Sequence, residues 1–358
     1  MRRLLAITVI PLLACLVIVG CGSSKPSAAA SSSASACSSV STSSEVSTSS
    51  SVSTSSMVST SPSPSAAASS SNANASVTVT GAFGLTPVVK IPKLDANNKL
   101  TVKTVIQGTG ATVTKTDAMA ANFVLYFWNG TSNTLKANTF TSNPTVIGGT
   151  TLPGLETALI GQKVGSRVLA VIPPADAYGT AGNSQLGITS TTTLVFVIDV
   201  LKSYSDTASA FGTQESDGGG SLPTVTAHPG SAPTIKVPSN NPPPCLVAKT
   251  LIKGSGPKLV KGEYVVAQYT GYIWRTKAVF DSSWTSGSPF GFVIGASPEQ
   301  VITGWDTGLA GQTVGSRVML VIPPKDGYGS TGASQAGITG TDTLVFVVDI
   351  IDAMKLSS

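Results

Sequence analysis

A near duplication limits what this chain can fold into more than any other feature. GSRVLAVIPPADAYG runs from Gly165 to Gly179, and GSRVMLVIPPKDGYG runs from Gly315 to Gly329. An upstream pair, KTVIQGTG from Lys103 and KTLIKGSG from Lys249, stands at an offset of 146 rather than 150, so the first copy is four residues shorter in its middle. Self-similarity on this scale places two copies of one folding unit in tandem. The 358 residues leave room for both, since a domain takes roughly 100–200 residues. Within each stretch a β-branched run follows a turn glycine and ends at Pro-Pro, which withholds backbone N–H groups from a ladder. These are framework residues, needed by both copies whatever either copy does.

In the second copy EYVVAQYTGYIW (263–274), FGFVI (290–294), SRVMLVI (316–322) and TLVFVVDII (343–351) are short and rich in β-branched and aromatic residues, with Gly, Pro and Ser between them. They predict antiparallel strands. One short helix is expected at about 304–310, where glycines make a poor helix that packing has to hold. The resulting class is α+β, an antiparallel sheet wrapped around one short helix in each copy. Composition sets the boundaries at 82–203 for the first domain, 204–231 for a Gly/Ser/Pro linker and 232–358 for the second domain.

Upstream, Met1-Arg2-Arg3 precedes an apolar run from Leu4 to Val19, which predicts a signal peptide over 1–20. A membrane-spanning anchor is the other reading, but the run is at the short end of the ~17–25 residues a span needs. Ile18-Val19-Gly20-Cys21 resembles the lipobox of bacterial lipoproteins. That resemblance implies lipidation at Cys21 and attachment to the outer face of the membrane at the cell envelope, through acyl chains worth about 0.8 kcal/mol per buried methylene. Residues 21–81 are Ser, Ala and Thr with little else, too poor in apolar surface to offset ordering, and predict a disordered tether. Its reach as a flexible coil is on the order of 40 Å.

Several classes of chemistry drop out. The only histidine, His228, falls in the expected linker, which removes Ser/His and Cys/His mechanisms. Cys37 and Cys245 stand in unlike surroundings without metal-ligand spacing, so neither a disulfide framework nor a metal or cofactor site is expected, while one disulfide remains open. A net charge of +5 with 11% charged residues does not point to nucleic acid.

Six motifs of the second copy occur together in one order: Gln268-Tyr269-Thr270-Gly271, Phe280-Asp281-Ser282-Ser283, Pro289-Phe290-Gly291-Phe292, Val301-Ile302-Thr303-Gly304-Trp305, Tyr328-Gly329 and Thr343-Leu344-Val345-Phe346. In this the copy resembles FK506-binding-protein-type (FKBP) peptidyl-prolyl cis-trans isomerases over nearly its whole length. The resemblance implies a pocket with Trp305 under the substrate proline and walls of Tyr269, Phe280, Phe290, Val301, Ile302 and Phe346. Tyr328 and the Ile302 N–H would donate to substrate carbonyls, Asp281 would bond near Tyr269, and Ile338 would close one side. The implied partners are proline-containing unfolded or exported polypeptides, and macrolide inhibitors. Gln300, where the family often has an acid, and Gly327 depart from its pattern.

Read singly, each residue has a plainer role, as core aromatic, turn aspartate or loop tyrosine. The first copy retains Tyr178, Ile188 and Phe196 but has Phe123 for Tyr269, Leu155 for Trp305 and Thr151-Leu152 for Val301-Ile302, with no Asp between Asp117 and Asp176. The expectation is an isomerase in the second domain and a degenerate first domain. The competing expectation is a non-catalytic chaperone or binding lipoprotein using apolar clefts, with the first copy as its better candidate.

Overall fold

The computed structural model describes residues 73–149 and 152–356. The expected signal, Cys21 and nearly all of the tether lie outside them. In the first repeat, β1 (Thr78–Thr80), β2 (Val88–Lys90), β3 (Thr101–Ile106), β4 (Ala118–Asn129), β5 (Ser132–Asn138) and β6 (Thr145–Ile147) precede the short helix α1 (Pro153–Leu159), then β7 (Arg167–Ile172) and β8 (Thr193–Tyr204). Next come β9 (Thr213–Gln214), β10 (Thr224–His228) and β11 (Ser231–Lys236). The second repeat continues with β12 (Val247–Lys253), β13 (Glu263–Ile273), β14 (Ala278–Ser282), α2 (Ser283–Ser286), β15 (Phe290–Val293), α3 (Thr303–Leu309), β16 (Arg317–Ile322) and β17 (Leu344–Lys355).

Each repeat forms one antiparallel sheet. The first runs β3-β7-β8-β4-β5 with β6 on β4, and the second runs β14-β13-β17-β16-β12-β9 with β15 on β13. The inner faces close over α1 and α3, burying Leu155, Leu159, Ile172 and Phe196 in one domain and Trp305, Leu309, Ile322 and Phe346 in the other. This is the expected α+β arrangement. Both helices are single seven-residue segments without a side-chain cap, so the sheet, as anticipated, has to hold them.

The expected linker needs correction. Residues 204–231 are not a bare connection: β9 extends the second sheet beside β12, and β10 pairs with β11 as a hairpin. Val225, Ile235 and Val237 of that hairpin region pack on Leu251, Trp274, Met319, Val321, Val345 and Val347, on the sheet face away from α3. The first repeat has the same device, since β1 pairs with β2 and Val77 packs on Val124, Trp128, Leu169 and Val197. The two hairpins match at an offset of 146, Thr78-Val79-Thr80 with Thr224-Val225-Thr226. The tether boundary at 81 therefore also moves, because Ala73–Ser76 and β1 belong to the folded repeat. A Ser/Gly/Pro-rich composition concealed a few β-branched residues that suffice to cover a sheet.

The duplicated GSRV also finds its reason. Arg167 and Asp199 face each other across β7 and β8 at 2.6 Å, as do Arg317 and Asp349 across β16 and β17. Ser166 Oγ accepts from Gly108 N at 2.9 Å and Ser316 Oγ from Gly254 N at 3.0 Å, tying the turn after β3 or β12 to the start of the next strand. Cys245 is disulfide-bonded, and the other cysteines of the chain lie outside the described residues.

Candidate functional site

The site is built on β13, β14, β15, α3 and β17 of the second domain. At the start of α3, Ile302 caps the helix with extended backbone, and Trp305 follows one turn in, facing the sheet at 3% exposure. Four aromatic rings surround the indole edge-on: Tyr269 and Phe346 at 5.2 Å, Phe292 at 5.5 Å and Phe290 at 6.2 Å between centroids. Phe280 meets Phe346 edge-on at 5.5 Å. Edge-to-face pairs contribute about 0.5–1.5 kcal/mol each beyond their area, so this cluster has a defined geometry as well as low polarity.

Around the buried indole the neighbours are only partly covered. Tyr269, Phe280, Val301 and Ile302 are half-buried, Phe290 is 37% exposed and Tyr328 is 41% exposed, while Ile338 is buried beneath them. The structure therefore brings together eight of the expected residues in one apolar cluster, with Tyr328 and Asp281 exposed outside it. The Tyr269 hydroxyl donates to Asp281 Oδ2. Burial pushes the Tyr269 phenol well up, and the bond to Asp281 and its charge add to this. Burial, then the Asp281 charge, also raises the Tyr328 phenol. Both phenols are thus neutral donors at physiological pH. Tyr269 is committed to Asp281, whereas neither the Tyr328 hydroxyl nor the Ile302 N–H meets an acceptor among the described residues. Both donors can take carbonyl oxygens of a peptide.

Supporting residues hold this arrangement. Ser283 Oγ accepts from Tyr269 N at 2.7 Å and donates to Gln268 Oε1 at 2.5 Å, so α2 is pinned to β13. Gln300, the departure from the family pattern, accepts from Val293 N at 2.9 Å through its amide oxygen, a role that needs no charge. Asp306 accepts from Gly295 N at 2.7 Å.

Sequence reasoning overlooked Gly271. A Cβ there would lie 2.8 Å from Phe280 Cζ and 2.9 Å from Phe346 Cε1, so the two rings occupy the space a side chain would need. In the first domain the same register position, opposite Phe196 as Gly271 is opposite Phe346, holds Leu125. Pairing the copies strand by strand would have shown this. The register also places Lys136 for Phe280, Ala137 for Asp281, Thr145 for Phe290 and Ile147 for Phe292. Phe123, Leu125, Ile147, Leu152, Leu155, Ile188 and Phe196 are all buried against one another. The first copy thus fills its own recess, which corrects the expectation that it is the better cleft for unfolded chains.

Fold and site together define a class: a tandem of small antiparallel-sheet domains, one of which presents an aromatic cluster over the helix α3. The model of the FKBP-type peptidyl-prolyl cis-trans isomerase domain matches twice, at residues 110–201 and 256–351. An FK506-binding protein of Streptomyces anulatus is 40% identical over 119 residues, 33% of this chain and 94% of that protein. A probable FK506-binding protein of Corynebacterium glutamicum is 36% identical over 121 residues, 34% of this chain and 98% of its own length. Peptidyl-prolyl cis-trans isomerase FKBP9 of Mus musculus is 27% identical over 244 residues, 66% of this chain, which spans 36% of that longer protein. The chain belongs to the FKBP-type peptidyl-prolyl cis-trans isomerase family.

Proposed function

We propose that the protein is a peptidyl-prolyl cis-trans isomerase of the cell envelope, active in its second domain, that assists folding of exported polypeptides. Rotation about an X-Pro bond meets a barrier of about 18–20 kcal/mol because resonance gives the C–N bond double-bond character. The planar imide is charge-separated, with negative oxygen and positive nitrogen, and the twisted imide has lost that separation. A dry aromatic surface disfavours the planar form more than the twisted one, and hydrogen bonds realised at the twisted geometry lower the barrier further. No nucleophile, acid or metal enters the reaction. Trp305 would lie beneath the proline ring, Tyr269, Phe280, Phe290, Val301, Ile302 and Phe346 would exclude water from it, and Tyr328 and Ile302 N–H would hold flanking carbonyls.

The observation that carries this reading is the buried indole ringed by four aromatics in the second domain, where the first domain has the fully buried Leu155 instead. In the full-length chain Trp305→Leu, which copies the first domain, should slow catalysed exchange in an Xaa-Pro peptide about tenfold or more, a loss of at least about 1.4 kcal/mol in transition-state stabilisation. Wild-type turnover in that variant would end the assignment.

The place of action rests on Ile18-Val19-Gly20-Cys21 and the apolar run before it. Slow X-Pro steps of tens to hundreds of seconds burden any exported chain folding outside the cytoplasm. Cys21→Ala should move the protein from the membrane fraction to the soluble fraction after cell disruption, and an unchanged distribution would remove the lipid anchor from the proposal.

A further inference from the structure

The first domain fills its own recess, which leaves the question of what it contributes. Its edge strand β6 lies against the second domain at the segment that leads into the site. A Cβ on Gly291 of β15 would run into the Tyr264 ring of its own domain and fall 2.9 Å from Val146 Cγ2 of β6. Beyond β6, a Cβ on Gly148 would fall 2.8 Å from Ser288 Oγ. Gly149 adopts φ +55°, and a Cβ there would meet Ser286 O at 3.1 Å and Gly287 O at 3.5 Å. Residues 286–291, from the end of α2 into β15, thus lie against Val146, Gly148 and Gly149 of the neighbouring domain.

That segment carries a wall of the site. Phe290 stands between Gly291, which faces Tyr264 and Val146, and the buried Pro289. The Phe290 ring meets Tyr269 at 5.9 Å and Trp305 at 6.2 Å. Within its own domain Ser283 ties the start of α2 to β13 and Phe290 pairs with Ala267, while the exit of α2 between them is bonded through Ser288 N to Ser283 O at a long 3.3 Å. The domain contact continues away from the site. Ala120, Val146 and Tyr204 pack with Tyr264, Val266 and Val293, and the Tyr204 hydroxyl donates to Asp352 Oδ2 at 3.0 Å. The brace is therefore anchored on a shared apolar cluster rather than resting on a loop tip.

We infer that the first domain is a positioning element for the second, in which Val146, Gly148 and Gly149 hold 286–291 so that Phe290 forms the pocket wall. The inference rests on the proposed isomerase reading of the second domain. A wall that is displaced weakens capture of the proline ring, while Trp305, Tyr328 and the Ile302 N–H, which face the rotating bond, stay in place. The signature is a change in KM with kcat retained, because binding shared by ground and transition states is lost.

The test uses the full chain with Val146→Lys, which sets a charge against Gly291. KM for an Xaa-Pro peptide should rise about fivefold with kcat within about twofold of wild type, and the near-isosteric Val146→Thr should keep the wild-type KM. If the lysine separates the domains or unfolds only the first, the brace is lost either way and KM still rises. If the second domain loses its own unfolding transition, Val146→Ala serves instead, with KM about twofold up. An unchanged KM in a folded second domain, or an equal loss in kcat, overturns the brace. Trp305→Leu, run beside these variants, separates the two ideas: loss there with wild-type KM at Val146→Lys leaves the isomerase reading standing and removes only the brace, whereas retained turnover removes the reading itself.

Discussion

A methyl group on Gly271 would meet Phe280 at 2.8 Å and Phe346 at 2.9 Å, and Leu125 stands at the equivalent position of a domain whose recess is closed. This side chain is thus one of the differences that separate an open aromatic surface from a filled core on the same framework. Gly271→Leu in the full chain should displace Phe280 and cut isomerase turnover about tenfold or more. The domain should stay folded, since overpacking costs typically about 1–3 kcal/mol and the first domain carries a leucine at the matching register position. Peptide turnover measured beside circular dichroism checks this. Wild-type turnover in the Gly271→Leu variant would mean that Phe280 and Phe346 need not approach over this glycine. The aromatic members of the site were legible in the sequence because their types and order are unusual. Gly271 was not, because its contribution is the room it leaves, which shows only when a register sets it opposite Phe346.

Elements were legible in proportion to how strongly their side chains alternate or cluster. β13, β16 and β17 are buried on both faces or nearly so and read as β-branched runs, and α3 falls one residue from its expected place. β14 was hidden, because Asp281-Ser282-Ser283 is ordinary turn chemistry, yet pairing of Gly271 with Asp281 makes this an edge strand that runs into α2. The loop that carries Ile338 shows the same framework fastened in two ways. Asp342 accepts two bonds from Arg275 at 2.8 Å and one from Thr339 N at 2.8 Å, and the Arg275 guanidinium holds its carboxyl down at about 2. In the first domain Thr192 takes the place of Asp342 and accepts from Thr189 N at 3.0 Å, with no charge involved. The loop is kept in both copies, so its fastening serves the fold, and the residue it delivers, Ile188 or Ile338, is buried in each.

At the scale of the whole molecule the repeat is longer than the matching strands suggest, because each copy begins with its own covering hairpin. This decides where the second domain can be cut free. A fragment that starts at residue 232, the boundary composition suggests, begins inside β11 and discards β9 and β10. It loses Val225 from the cluster on Trp274, Met319 and Val345, and leaves Ile235 on an unpaired strand with Val237 just beyond it. Full burial of a Val or Ile side chain is worth about 1.5–3 kcal/mol, a large part of the roughly 5–15 kcal/mol that holds a domain together. A fragment from residue 205 keeps the hairpin and β9. Of the two, the shorter should melt on the order of 10 °C lower, from about 2 kcal/mol of lost burial in a domain of this size, and should expose the outer sheet face to a hydrophobic dye. Equal melting temperatures would show that the hairpin lies on the sheet without stabilising it, and would return 204–231 to the role of a linker. The site residues lie on the opposite face, over α3, so a peptide assay on the two fragments below the lower melting temperature should give the same turnover.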